Sequence, residues 1–302
     1  MSRAVSFSEF GPASVLEIIE VDAPLPAPGK VRIALRAAGL NPWDSKVRSG
    51  ATQQWAPVTF PARLGRELAG VVDAVGEGVT TLAVGDEVFG NVAGGALADF
   101  AIGTATALAR RPAGLSWEIA GSMSTVGLTA WEIVESQSIG SGDTVLVSAA
   151  AGGVGSFAAQ LARRAGATVI GTASVRNHDF LRELGVIPVA YGDGLADRVR
   201  ALATSPVTVV LDHHGAETIE AGLELGVERS RINTTAADAD ALGIRGVGRG
   251  KAKPAVLEEL AALIVAGDIR FEIEASYPLE RIVEAFAQLD DGHVRGKLVV
   301  TP

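Results

Sequence analysis

The stretch from Asp143 to Phe157 constrains the fold more than any other part of the chain. Thr144 to Val147 is a short apolar run with two valines, suited to a strand buried on both faces. Gly152, Gly153 and Gly155 follow at once, and Val154, Phe157, Ala158 and Leu161 then recur at helical spacing. The pattern is strand, glycine turn, helix. Such a turn leaves the first N–H groups of the helix unpaired and adds the positive end of the helix dipole. Glycine lets the backbone bend sharply and lets a pyrophosphate approach with no Cβ in the way. Ala150, Gly152, Gly153, Val154 and Gly155 are therefore candidate cofactor-binding residues.

Downstream of this stretch, apolar strand signals and helical signals alternate as far as about residue 265. That order predicts a parallel sheet with helices on both faces, a Rossmann doubly wound cofactor domain over residues 121–267. Residues 1–120 read as β-rich. Val31, Ile33 and Leu35 alternate as in a half-buried strand, and Asp22 to Lys30 forms a proline-punctuated loop. Residues 268–302 carry a strand pattern, a helix stripe through Leu279, Ile282, Val283, Phe286 and Leu289, and a final apolar strand.

Composition narrows the partners. The 302 residues are 48% hydrophobic and 20% charged, which suits globular domains, and the net charge of −9 argues against a nucleic-acid or anionic membrane surface. No apolar run reaches membrane-spanning length and no signal-peptide pattern opens the chain, so the expected location is cytoplasmic. With no cysteine, disulfides, thiolate zinc sites and a cysteine nucleophile are excluded.

The glycine turn, Asn41-Pro-x-Asp44, Gly65-Arg-Glu67, Gly85-Asp-Glu-Val-Phe-Gly90 and the ending Gly292-His-x-x-Gly-Lys297 together resemble the medium-chain dehydrogenase/reductase superfamily, specifically its zinc-independent quinone oxidoreductase-like branch. The resemblance spans the whole chain. It implies an α/β protein with a GroES-like β-rich catalytic domain over 1–120, completed by 268–302, beside the Rossmann domain. Zinc enzymes of the superfamily place a cysteine at Asn41 and a histidine at Arg66, and neither replacement is a good zinc ligand. The expectation is a metal-free protein.

A site for NAD usually carries a carboxylate about 20 residues beyond the first glycine. Here Ser174 and Arg176 stand at that place, which favours the 2′-phosphate of NADPH; the alternative makes Arg176 a solvated arginine. By resemblance Tyr191 contacts the adenosine phosphate, or else packs on the sheet rim, and Thr129 contacts the cofactor. Candidate catalytic residues are Asn41, Lys46 and Arg66. Asn41 either donates to a substrate carbonyl or stabilises a turn together with Asp44. Lys46 either orients an enolate oxygen or is an ordinary exposed lysine. Arg66 either fills the vacated metal pocket or pairs with Glu67 or another acid. His213 and His214 read as loop residues and not a metal pair. The expected activity is NADPH-dependent hydride transfer to a quinone or enone. Two other readings stand beside it: an enoyl-thioester reductase, and a non-catalytic, crystallin-like NADPH-binding protein. The resemblance also implies a homodimer through an edge strand of the cofactor domain, here Gly243 to Lys251, whose glycines make a weak strand.

Overall fold

In the computed structural model, which describes residues 2–248 and 253–302, the chain divides into two units. One is Met1–Thr125 with Ala252–Pro302; the other is Val126–Lys251. The first unit opens with strands β1 (Ser2–Phe7), β2 (Glu17–Val21) and β3 (Lys30–Gly39) and helix α1 (Pro42–Arg48). Strands β4 (Ala62–Arg63), β5 (Glu67–Val75), β6 (Glu87–Asn91), β7 (Phe100–Thr104) and β8 (Leu108–Arg110) and helix α2 (Trp117–Ser122) follow.

Helix α3 (Ser124–Glu135) starts at the junction. The second unit continues through β9 (Thr144–Val147), α4 (Gly153–Arg164), β10 (Thr168–Thr172), α5 (His178–Glu183), β11 (Ile187–Val189) and α6 (Leu195–Leu202). It closes with β12 (Val209–Asp212), α7 (Ala216–Glu224), β13 (Ile232–Thr234), α8 (Ala239–Leu242) and β14 (Arg245–Gly246). The chain then returns to the first unit as α9 (Pro254–Val265), β15 (Ile273–Pro278), α10 (Ile282–Asp290) and β16 (Lys297–Thr301).

The sheet of the second unit runs β11-β10-β9-β12-β13-β14, with every pairing parallel. Counted from β9, that is the 3-2-1-4-5-6 order of a doubly wound dinucleotide-binding sheet. All four residues of β9 are buried, as a strand covered on both faces requires. Leu146, Ile170, Val210 and Ile232 stand on four strands of one continuous core. The order reverses between β9 and β12, where a fork opens at the strands' carboxyl ends.

In the first unit β3 pairs with β5, β7 and β16, and its alternating Val31, Ile33 and Leu35 point into the core. Leu298 and Val300 of the returning β16 join that core beside Leu40 and Phe286. The division between units follows Lys251, whereas the sequence expectation carried the second domain to 267; helix α9, which packs on β8, makes the difference. The turn expected at Asn41 and Asp44 is the start of a helix: Asn41 caps α1 and Asp44 lies in its first turn. Pro42 sits at the first helical position, where its missing N–H costs nothing, and the Asp44 carboxylate accepts the Asn41 N–H at 3.0 Å. The expected dimer stretch forms the two-residue edge strand β14; its residues 249–251 lie outside the described residues.

Candidate functional site

Beyond β9 the backbone turns through Ser148 to Ala151. Ala149 holds a φ of 46°, a left-handed conformation few side chains adopt. Its carbonyl accepts the Gly152 N–H at 2.9 Å, and Gly152 caps α4. A Cβ on Gly155 would lie 2.2 Å from the same Ala149 oxygen, so only glycine lets the helix start this close to the strand. The first helical bond runs from the Ser156 N–H to the Gly152 carbonyl. Among the described residues, the N–H groups of Gly153, Val154 and Gly155 have no acceptor. Three unpaired donors at the positive end of a helix dipole could hold an anion such as a pyrophosphate. Ala150 differs from them: it is fully buried and its N–H donates to the Thr172 carbonyl at 2.9 Å, so it braces the turn.

The fork beside this turn is held by a buried polar network. The Ser148 hydroxyl donates to Asp212 Oδ1 at 2.8 Å and accepts the His213 N–H at 2.6 Å. Asp212 Oδ1 also accepts the N–H groups of His214 and Gly215, and Oδ2 accepts the Thr234 hydroxyl at 2.6 Å. The His213 ring meets Thr235 Oγ1 through Nδ1 at 3.3 Å, and its enclosed Nε2 has no partner. Burial pushes the ring down to about 4, against a weaker upward pull from Asp212, so His213 is neutral near pH 7. Thr129 lies at the same end of the sheet; a Cβ on Gly248 would fall 3.4 Å from its methyl and 3.6 Å from that of Thr235. The free N–H groups at the start of α4 and the orphaned Nε2 suit a dinucleotide in this unit.

Past β10, Ser174 is half-buried and accepts from the Asn177 amide at 3.3 Å, and Arg176 is exposed. Tyr191, past β11, is 51% exposed. Its loop is pinned from within: the Arg198 guanidinium donates to the carbonyls of Ala190, Gly192 and Asp193, and Glu217 accepts the Gly192 N–H.

The first unit contains the other cluster. The Lys297 ammonium donates to the Leu40 carbonyl at 2.7 Å, to Asn41 Oδ1 at 2.7 Å and to Glu67 Oε1 at 2.8 Å, which fills all three of its N–H bonds. Asn41 Nδ2 donates to Glu67 Oε1 at 2.8 Å, and Glu67 Oε2 accepts the Thr125 N–H at 2.7 Å. Lys297 is 4% exposed and Glu67 not at all. Gly39 is required here, because a Cβ would lie 2.4 Å from Glu67 Oε1. Asp44 is buried one turn away and accepts the Gly65 N–H at 3.1 Å. Desolvation lifts its carboxyl to about 6 against the pull of those backbone donors.

Arg66 was one expected partner for Glu67, and the structure corrects this: Glu67 faces inward to Lys297, while the exposed Arg66 guanidinium sits 5.3 Å from the Trp43 ring centroid. Lys46 is exposed on α1. Sequence reasoning overlooked Lys297, although the Gly-Lys ending pointed to its position. Among the described residues no group of three or more His, Asp or Glu side chains could hold a metal.

Known proteins share this fold. Residues 27–100 match the alcohol dehydrogenase GroES-like domain and residues 184–300 the zinc-binding dehydrogenase family. A quinone oxidoreductase of Pseudomonas aeruginosa is 31% identical over 328 residues, covering 100% of both chains. The structure of the quinone oxidoreductase from Coxiella burnetii has a TM-score of 0.88 at 30% identity, covering 100% of this chain and 99% of that one. Escherichia coli quinone oxidoreductase complexed with NADPH has a TM-score of 0.88 at 27% identity, covering 100% of both.

Removing one member of a buried ion pair strands the other charge. Lys297→Met should therefore lower stability by about 3–5 kcal/mol in urea denaturation, and Lys297→Met with Glu67→Gln should recover most of it. A loss under about 1 kcal/mol in the single variant would contradict the pairing.

His213 gives a pH signature of defined sign. Its folded value of about 4 lies below the unfolded 6.5, so between these the unfolded chain binds the proton and the native state does not. The stability of the wild type relative to His213→Gln should fall as pH drops from 6.5 to 4 and stay flat above 6.5. Stability–pH curves that run parallel through this window would refute the burial of the ring.

Proposed function

The chain belongs to the medium-chain dehydrogenase/reductase superfamily, in its quinone oxidoreductase-like branch, and from that premise we propose that it is an NADPH-dependent reductase of quinones or α,β-unsaturated carbonyls. Its relatives are oxidoreductases. The observation that carries the choice of cofactor is the end of β10, where Ser174 and Arg176 stand in place of a carboxylate. Asp179, a few residues further on, holds Arg182 at 2.6 Å. An arginine with a hydroxyl beside it can bind the 2′-phosphate of NADPH, whereas a carboxylate would repel it. Tyr191, exposed on its braced loop, offers a second contact on the adenosine side.

In this reading the N–H groups of Gly153, Val154 and Gly155 hold the pyrophosphate, Ala150 braces their turn, and Thr129 contacts the nicotinamide half. NADPH, when bound, supplies a hydride to an electron-poor substrate, and negative charge then grows on the substrate's carbonyl oxygen. A preorganised donor to such an oxygen contributes about 2.7–4 kcal/mol. Asn41 is the candidate in the first unit. Lys297 and Glu67 fix its amide orientation, and Nδ2 keeps a second N–H beyond the one given to Glu67. Lys46 on α1 and Arg66 just before β5 supply positive charge on the surface of the first unit.

NADPH oxidation measured against quinones, enones, enals and saturated aldehydes tests the reaction class. Turnover with quinones or enones and not with saturated aldehydes is expected, and NADPH binding with no turnover of any acceptor would favour a non-catalytic role. For the cofactor, Arg176→Ala should weaken NADPH binding by about one to two decades and leave NADH binding nearly unchanged. The kcat at saturating NADPH should hold, because the contact is formed alike in ground and transition states. Equal losses for both cofactors would assign Arg176 to the fold instead.

A further inference from the structure

We propose that Trp43, Trp55 and Arg66 form a ledge on the first unit that selects a planar aromatic substrate bearing an anionic group. The inference rests on the reductase reading above and narrows its substrate. Trp43 sits at the start of α1, half-buried against the first core. Its ring lies 5.1 Å from that of Trp55 at a tilt of 57°, and the Arg66 guanidinium lies 5.3 Å from its centroid. The arginine is anchored at its backbone, whose carbonyl accepts the Val92 N–H at 2.7 Å. Trp55 is 62% exposed, a large indole surface left in water that a flat ligand would cover.

Charge decides what kind of flat ligand fits. The acids closest in sequence have been drawn inward: Glu67 is committed to Lys297, Asn41 and Thr125, and Asp44 to the N–H groups of Asn41 and Gly65. Neither is on the surface to neutralise Arg66. Lys46, three residues beyond Trp43 and on the same face of α1, is also exposed. Among the described residues neither cation pairs with a carboxylate. A chain with a net charge of −9 thus presents a local cationic spot beside two indoles. A fused ring can stack on Trp55 while a carboxylate or sulfonate meets the guanidinium fork, which binds two oxygens at once.

The test compares kcat/KM for 1,2-naphthoquinone-4-sulfonate and 1,2-naphthoquinone with NADPH as the reductant. These quinones differ in intrinsic reactivity, so the readout is the change in their ratio between protein variants. Arg66→Gln should lower the ratio of sulfonated to neutral quinone about five-fold, the upper range for an exposed ion pair. One molar salt should lower the wild-type ratio in the same direction. Trp55→Ala should lower kcat/KM for both quinones while keeping the ratio. An unchanged ratio in Arg66→Gln, with wild-type turnover intact, overturns the ledge and leaves the reductase reading standing. If the wild type turns over no quinone or enone, the reductase reading fails, and calorimetric titration with 2-naphthalenesulfonate decides the ledge separately. Binding that Arg66→Gln weakens supports the ledge, and no binding to the wild type overturns it.

Discussion

Lys297 carries a positive charge into a part of the first unit that water does not reach, and three oxygens meet it there. Two come from the segment after β3 and one from the start of β5, so an ammonium near the end of the chain ties down residues 40, 41 and 67. Zinc enzymes of the superfamily hold a metal cation with ligands from these two segments. Here an internal ammonium balances Glu67 and sets the Asn41 amide. Such a pair is a poor source of net stability, because desolvating both charges offsets their attraction, but losing either partner leaves the other as an uncompensated buried charge. The same economy of charge explains the surface: with Glu67 and Asp44 turned inward, Arg66 and Lys46 keep their charge for solvent or a ligand.

The second unit depends on a steric constraint. Helix α4 starts against the Ala149 carbonyl, and only a residue without Cβ can occupy position 155. That contact fixes where the first helical turn points its donors. The network of Ser148, Asp212 and Thr234 then ties β9 to β12 and β13 where the sheet order reverses. Backbone donors and fork are thus held in one place by local sterics on one side and a satisfied buried carboxylate on the other.

Much of this was legible in the sequence, for identifiable reasons. The glycine turn is a local signal, because strand, turn and helix follow one another with no gap. The parallel sheet announced itself through alternation, and β9 through its unbroken apolar run. What escaped was through-space. Lys297 and Glu67 are 230 residues apart, and Ser148 and Asp212 are 64 apart; no periodicity links them. Adjacency misled as well, since Arg66 beside Glu67 suggested a pair, whereas neighbouring residues on an extended segment face opposite ways. Asn41-Pro and Asp44 suggest a turn because these residue types favour turns, yet the same residues also cap a helix and occupy its first turn.

Hydride transfer from a cofactor held at the turn of Gly152 to Gly155 is the centre of the account, and isotopic labelling tests it most directly. NADPH carrying deuterium at the transferable C4 position should be oxidised more slowly than unlabelled cofactor in a single turnover with an enone, and the deuterium should appear on the β-carbon of the product. Cofactor oxidation with the label lost to water, or tight NADPH binding with no oxidation by any enone or quinone, would contradict it.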